Sequence, residues 1–186
     1  MLYLNDHIWD FPLDEALRQL SEQRREQALR FRHELGRRTC AAAYLLLCRG
    51  LRQEYGITEL PLFEYGEHGK PYIVGHPEIH FNLSHSGTVA LCAISDQPVG
   101  ADVETNRKIS PGLVNYTMSL NEQEQINTSP NPTMQLLHFW TKKEALLKLT
   151  GEGIRNDVKN VLAEAEKYQF ETIEKENYVY SIVKYK

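Results

Sequence analysis

The sequence predicts an α+β fold of two similar lobes in a pseudo-twofold arrangement, each with a long helix on a small antiparallel sheet. Each half of the chain shows a helical pattern first and antiparallel strand patterns later. Apolar residues recur at helical spacing over residues 35–55 and 133–149, which predicts one core helix in each half. At 186 residues the chain suits one ordinary domain or two small lobes. We place an N-terminal lobe at residues 1–101 and a C-terminal lobe at residues 102–186.

Arginines crowd the segment that leads into the first core helix. Residues 1–9 suit a short edge strand, and residues 13–29 suit one or two helices. Between residues 24 and 38 the chain holds six arginines, Arg24, Arg25, Arg30, Arg32, Arg37 and Arg38. They suit a solvated helix face or, equally, a wall that binds anions, because guanidinium groups match phosphate geometry.

The first core helix, over residues 35–55, has a wide apolar face and ends at Gly56, a residue type that commonly follows a helix in the left-handed conformation. Its first turn contains Arg38 and Thr39. Backbone amides in the first turn of a helix favour anions. We therefore expect this turn to help hold a phosphate, and the rest of the helix to serve the core.

Glycines and a proline predict a turn within residues 64–73, at Gly69, Lys70 and Pro71. This signal is weak by itself, since most lysines near turns are solvated.

A hairpin is predicted over residues 79–94, with Ser-His-Ser-Gly at its corner and a second strand apolar enough to be buried on both faces. Ser84 and His85 are neighbours on a strand and face opposite sides, which disfavours a catalytic dyad. They suit a pair of phosphate donors or, at least as commonly, a turn-capping serine and a surface histidine.

The next strand, over residues 98–104, carries two acidic residues on one face. Side chains alternate along a strand, so Asp102 and Glu104 point one way while Ala101 and Val103 point towards apolar packing. Two neighbouring carboxylates repel each other unless a cation lies between them. Mg²⁺ suits such a site, because it uses few protein carboxylates and completes its shell with water and phosphates. The alternative is a solvated edge strand with two acidic residues.

The second core helix, over residues 133–149, places Glu144 and Lys148 four residues apart on one face. An exposed helical ion pair there is worth only about 0.3–0.5 kcal/mol.

Before this helix, Ser119 predicts the start of a short acidic helix. Residues 168–173 and 177–185 alternate as a closing hairpin does.

Composition narrows the class of protein. The net charge of −4 does not suggest a general nucleic-acid binder. Cys40, Cys48 and Cys92 are odd in number and widely spaced, which favours buried, reduced thiols in a cytoplasmic protein. No apolar stretch approaches the ~20 residues of a membrane helix, and we expect no signal peptide.

Four motifs occur in order along the chain: Gly-Lys-Pro at 69–71, Phe-Asn-Leu-Ser-His-Ser at 81–86, Gly-Ala-Asp-Val-Glu at 100–104 and Trp-Thr-Lys-Lys-Glu-Ala-Leu-Leu-Lys at 140–148. Together they resemble the signature of the 4′-phosphopantetheinyl transferases of the surfactin-synthetase-activating type. The last motif is the most specific. The departures are small, such as Ala101 for the more usual Ile or Val and Gln27 where a second basic contact is expected.

The resemblance implies an enzyme that moves 4′-phosphopantetheine from coenzyme A to a serine of an apo acyl or peptidyl carrier protein, releases 3′,5′-ADP and needs Mg²⁺. It implies a metal site of Asp102, Glu104 and Glu144, with Glu144 and Lys148 as catalytic residues. The implied coenzyme A contacts are Arg24, Arg38, Thr39, Gly69, Lys70, Pro71, Ser84, His85 and Lys148. With both lobes in one chain, a monomer is expected.

Two other classes stay open. One is a Mg²⁺-dependent phosphohydrolase acting on coenzyme A or a nucleotide, which would consume coenzyme A without a carrier. The other is a non-catalytic module that binds coenzyme A or a carrier protein.

Overall fold

The computed structural model describes residues 1–106, 110–151 and 157–186. The helices are α1 (Leu13–Arg18), α2 (Glu22–Leu29), α3 (Glu34–Tyr55), α4 (Pro111–Thr117), α5 (Leu120–Thr128) and α6 (Pro132–Thr150). The strands are β1 (Leu2–Asn5), β2 (Phe63–Tyr65), β3 (Pro71–Ile73), β4 (His80–Ser86), β5 (Val89–Ser95), β6 (Val99–Thr105), β7 (Tyr168–Glu174) and β8 (Tyr178–Tyr185).

Each half of the chain places its long helix on a small antiparallel sheet. In the first half the strand order is β1-β5-β4, with α3 packed against it, and β2 and β3 form a separate hairpin. In the second half the order is β6-β8-β7, with α6 packed against it. This arrangement confirms the predicted α+β fold. The predicted lobe boundary at residue 102 falls inside β6, which begins at Val99.

The sequence features that predicted helices α3 and α5 are present in the structure. Helix α3 buries Tyr44, Leu47 and Leu51 in the core of the first half, and Gly56 ends the helix with a φ of 70°. Ser119 begins α5 with a capping box in which its hydroxyl accepts the amide of Glu122. These local features explain why α3 and α5 could be placed from sequence.

Helix α4 was not predicted. From sequence alone, the polar segment 105–112 predicts a loop, and its residues 107–109 lie outside the described residues. The helix begins where the Ser110 hydroxyl accepts the amide of Leu113, and it contains Gly112 and Asn115, which have low helix propensity. The side-chain cap therefore matters more here than residue propensity.

Gly100 sets the distance between β6 and α6. A Cβ atom at this position would meet the backbone of the helix, with the carbonyl of Ala145 closest and the amide of Leu149 at 2.7 Å. Glycine alone lets the two backbones approach this closely. The close approach brings Glu144 and Lys148 of α6 next to the acidic residues of β6.

The environment of the three cysteines and the length of the helices can be compared with what the sequence predicts. Cys40 and Cys92 are buried, Cys48 is partly buried, and all three are free, as predicted. Across residues 1–106, 110–151 and 157–186, no helix is both long and apolar enough to cross a membrane.

Candidate active site

A cleft of about 370 Å³ lies where the two halves of the chain meet. The first half contributes Arg24, Gln27, Phe63, Tyr65, His68, Gly69, Lys70, Pro71, Asn82, Leu83 and His85. Helix α6 and the glycine after it contribute Glu144, Leu147, Lys148 and Gly151. The cleft thus brings together seven of the predicted site residues, Arg24, Gly69, Lys70, Pro71, His85, Glu144 and Lys148.

Asp102 lies beside this cleft and is bonded to one of its lysines. Its Oδ1 accepts a hydrogen bond from Lys148 Nζ at 2.6 Å and another from Ser84 Oγ at 2.8 Å. Its Oδ2 is buried and has no hydrogen-bond partner among the described residues, and Asp102 as a whole is only 4% exposed. Burial raises the pKa of Asp102, and the Lys148 ammonium opposes that rise. The solvated-strand alternative therefore does not describe this residue.

Glu104 is held at both oxygens of its carboxylate. Its Oε2 accepts from Ser86 Oγ at 2.6 Å, and its Oε1 accepts from Trp140 Nε1 at 3.3 Å. The acidic strand is therefore tied both to β4 of the first half and to α6 of the second.

Glu144 completes a group of three carboxylates. Burial raises the pKa of Glu144, and the charges of Asp102 and Glu104 raise it further, while Lys148 lowers it. Like charges near a carboxylate disfavour its ionised form.

The three carboxylates fit a hard divalent cation, which prefers oxygen ligands and would supply the partner that Asp102 Oδ2 lacks. As placed in the described part of the chain, no three His, Cys, Asp or Glu side chains are already arranged as metal ligands. Instead, the Lys148 ammonium is the cation that neutralises Asp102. The metal assignment of Asp102, Glu104 and Glu144 stays a prediction.

His85 is uncharged at neutral pH. Burial, helped by the positive charges of Arg24 and Lys148, lowers the pKa of His85 to about 4. Its ring meets the edge of Phe31, with the ring centroids 5.9 Å apart. Ser84, one residue earlier, bonds to Asp102 instead, so the two side chains face different surroundings as strand alternation requires.

Arg24 and Lys70 supply positive charge to the cleft. Arg24 is 8% exposed, and its guanidinium donates to Gln27 Oε1 at 2.8 Å and to the Cys40 carbonyl at 3.4 Å. In the part of the chain that the structure describes, Arg24 Nε has no hydrogen-bond partner. Lys70 Nζ donates to the Leu149 carbonyl at 2.8 Å, which joins the β2–β3 turn to the end of α6. Burial lowers the pKa of Lys70. An unpaired buried donor and a desolvated lysine both favour an anionic ligand.

Arg38 and Thr39 lie outside the lining of the cleft. The Arg38 guanidinium donates to Glu34 Oε1 at 2.8 Å and to the Phe11 carbonyl at 2.6 Å. The hydroxyl of Thr39, a residue that is 2% exposed, donates to the Leu35 carbonyl at 3.1 Å. Their predicted contact with coenzyme A rests on the resemblance alone.

Sequence reasoning missed Ser86 and Trp140 as partners of Glu104. Each carried a spacing signal. Ser86 lies two residues after Ser84 and so shares its side of β4, and Trp140 lies four residues before Glu144 and so shares its face of α6.

Comparison with known proteins adds a family and its relatives. A family profile described as the 4′-phosphopantetheinyl transferase superfamily matches residues 98–182. The chain is 33% identical over 164 residues to the 4′-phosphopantetheinyl transferase HetI of Nostoc sp., covering 80% of this chain and 69% of that protein. It is 29% identical over 147 residues to a 4′-phosphopantetheinyl transferase of Bacillus subtilis, covering 76% and 64%. It is 33% identical over 138 residues to 4′-phosphopantetheinyl transferase psf-1 of Bacillus pumilus, covering 73% and 59%. The chain thus spans less than two thirds of each of these two Bacillus proteins.

Proposed function

The chain belongs to the 4′-phosphopantetheinyl transferase superfamily, and on that premise we propose that it transfers 4′-phosphopantetheine from coenzyme A to a serine hydroxyl of an apo carrier protein. The product besides the modified carrier is 3′,5′-ADP. The observation that carries the proposal is the cleft between the two halves, where Glu144 and Lys148 of α6 meet Arg24, Lys70 and His85 of the first half.

Coenzyme A carries several phosphates, and the cleft offers groups that bind them. Arg24 and Lys70 are cationic donors, and Arg24 Nε is buried with no partner among residues 1–106, 110–151 and 157–186. His85 is neutral and can donate one hydrogen bond from its ring without adding charge. We assign the nucleotide and phosphates of coenzyme A to this cleft.

The acidic residues are assigned to Mg²⁺. Asp102, Glu104 and Glu144 would hold the ion, which when bound would neutralise negative charge on the pyrophosphate of coenzyme A. The raised pKa values of Asp102 and Glu144 support this assignment, because a cation would remove the mutual repulsion that contributes to them.

Glu144 is the proposed general base. Burial and its acidic neighbours raise its pKa, and its side chain lines the cleft assigned to the substrate. It takes the proton of the carrier serine as the serine oxygen forms a bond to the β-phosphorus. The bond between that phosphorus and the bridging oxygen breaks, and the electron pair leaves with 3′,5′-ADP. Such transfers depend mainly on positioning and electrostatics.

Lys148 is the proposed partner of the leaving group. Its Nζ donates to Asp102 Oδ1 at 2.6 Å and to Ser84 Oγ at 3.1 Å, and its side chain is 29% exposed at the cleft. From there the ammonium can turn to a phosphate oxygen and stabilise or protonate it.

The protein is further proposed to act as a cytoplasmic monomer, since a single chain supplies both sides of the cleft and its cysteines are reduced.

The test is intact mass spectrometry of several apo carrier proteins mixed with the protein, coenzyme A and Mg²⁺. A carrier that gains one phosphopantetheine, and gains none when EDTA is present, supports the proposal. Consumption of coenzyme A at the same rate without any carrier would point to a phosphohydrolase instead. Coenzyme A binding with no product would leave only a binding module.

Variants of α6 test the assigned roles. Glu144→Gln should still bind coenzyme A in calorimetry but transfer about 10²–10⁴-fold more slowly, the usual cost of losing a general base. Lys148→Ala should weaken coenzyme A binding, slow transfer, or both. Lys142→Ala removes a lysine from the same helix outside the cleft lining and should behave as the wild type. Near-normal transfer by both Glu144→Gln and Lys148→Ala would refute the mechanism.

A further inference from the structure

The two halves of the protein are joined by a ladder of side chains. Strands β4 and β6 each lie at the edge of a sheet. The amides of Ala101, Val103 and Thr105 on β6 donate to the side chains of Asn82 at 3.0 Å, Ser84 at 3.3 Å and Ser86 at 3.3 Å, respectively. Each bond joins residues nineteen positions apart, so the two strands run in the same direction. Side chains of β4 thus take the place of a neighbouring strand for β6.

Two of these rungs also hold the acidic residues. The Ser84 hydroxyl accepts the amide of Val103 and donates its proton to Asp102 Oδ1. The Ser86 hydroxyl accepts the amide of Thr105 and donates its proton to Glu104 Oε2 at 2.6 Å. In each of these two serines, one hydroxyl oxygen therefore fixes both the register between β4 and β6 and the direction of a neighbouring carboxylate.

From this geometry we infer that Ser86 is a positioning residue that orients the Glu104 carboxylate for a divalent cation. The inference deepens the proposed function and rests on its cation site. Glutamate has three rotatable side-chain bonds, and holding it costs conformational entropy unless neighbours fix it beforehand. Ser86 fixes one oxygen and Trp140 the other. A hydroxyl that donates to one carboxylate oxygen fixes the orientation of the carboxylate and therefore the direction of its remaining lone pairs. Hydrogen-bond partners of metal ligands commonly act in this way.

Ser86 differs from Ser84 in a way that makes it the better test. Lys148 Nζ also contacts Ser84 Oγ at 3.1 Å, so a change at Ser84 would disturb a proposed catalytic lysine. The contacts of Ser86 run instead to Glu104 and to Thr105, whose hydroxyl lies 3.3 Å away. A change at Ser86 therefore acts on the carboxylate and on one rung of the ladder.

Ser95 provides a matched control. Its hydroxyl also accepts a backbone amide, that of Gln97 at 3.2 Å, and donates to a carboxylate, that of Asp96 at 3.4 Å. It is 5% exposed at the end of β5, and within the described residues its hydrogen bonds run to Asp96, Gln97 and Lys184. Ser95→Ala thus removes a hydroxyl with similar hydrogen bonds at a position away from the proposed site.

The experiment is titration of the full chain with Mn²⁺ alone, followed by electron paramagnetic resonance. Ser86→Ala should weaken Mn²⁺ binding by about 10–100-fold, the usual effect of losing a partner of a metal ligand. Ser86→Thr, which keeps the hydroxyl, should restore the affinity, and Ser95→Ala should leave it unchanged. In a Glu104→Gln background, Ser86→Ala should weaken binding no further. If Ser86→Ala does not fold, Ser86→Cys keeps a side chain of similar shape with a weaker donor and should shift the affinity in the same direction.

Unchanged Mn²⁺ affinity in folded Ser86→Ala would overturn the inference. So would an equal loss in Ser95→Ala, or a further loss on top of Glu104→Gln, because each would indicate a general effect on the fold. A wild-type protein that binds no Mn²⁺ would overturn both the inference and the cation site. Carrier modification measured by mass in that case would still leave the transferase activity standing.

Discussion

His85 should make the stability of the protein fall between pH 7 and pH 5. Its pKa is lowered to about 4 in the folded protein, against about 6.5 in the unfolded chain. Between these values the unfolded chain binds a proton that the folded protein does not, so acid favours unfolding. At pH 7 both forms are largely neutral and the effect is small. The full shift corresponds to about 3 kcal/mol, of which about 2 kcal/mol is lost by pH 5.

The assay is urea unfolding of the wild type and of His85→Gln at pH 7 and pH 5. Other titrating groups act in both proteins, so the difference between their pH dependences isolates His85. The variant should lose about 2 kcal/mol less than the wild type between the two pH values. Equal losses in both proteins would refute the assigned environment of His85.

The same residue gives a functional readout. A phosphate bound near His85 would favour its charged form and raise its pKa. Binding of 3′,5′-ADP near pH 5 should therefore take up protons, detected by calorimetry in buffers of different ionisation enthalpy. His85→Gln should take up fewer protons. Identical uptake by the two proteins would separate His85 from the phosphate site.

Two further predictions concern the packing of α6 against its neighbours. Lys143 is fully buried and donates to Glu122 Oε2 at 2.7 Å and to three backbone carbonyls. Lys143→Met should lower the free energy of unfolding by about 3–5 kcal/mol because it leaves these oxygens without their cation, and Glu122→Gln in the same chain should recover part of the loss in urea unfolding. Gly100→Ala should cost about 3 kcal/mol or more and also reduce transfer, because the added Cβ meets the backbone at Ala145 and Leu149. A Gly100→Ala protein with wild-type stability would contradict the observed packing of α6 on β6.

Local pattern was enough for most elements of the fold, with α4 as an exception, and for much of the candidate site. The two long helices follow from apolar spacing and from the glycines that end them, Gly56 and Gly151. Strand alternation was enough to place Asp102 and Glu104 on one face, since the period of a strand does not depend on distant contacts. The motif order was enough to indicate the family.

Contacts between the halves were decided only by the tertiary structure. Asp102 pairs with Lys148, 46 residues later, and not with a neighbour in sequence. Lys70 meets the end of α6, 79 residues away. Of the arginines, Arg24 lines the cleft, while Arg38 packs against the N-terminal segment.

The physical reason is that composition and periodicity fix which face a residue occupies but not which surface that face meets. The meeting of β4 with β6 depends on how both sheets and both long helices pack, and it gives Ser86 its partner Glu104. The spacing of Ser86 from Ser84 places both on one side of β4 but does not indicate what lies opposite that side. The role of Ser86 exists only once β6 lies beside β4.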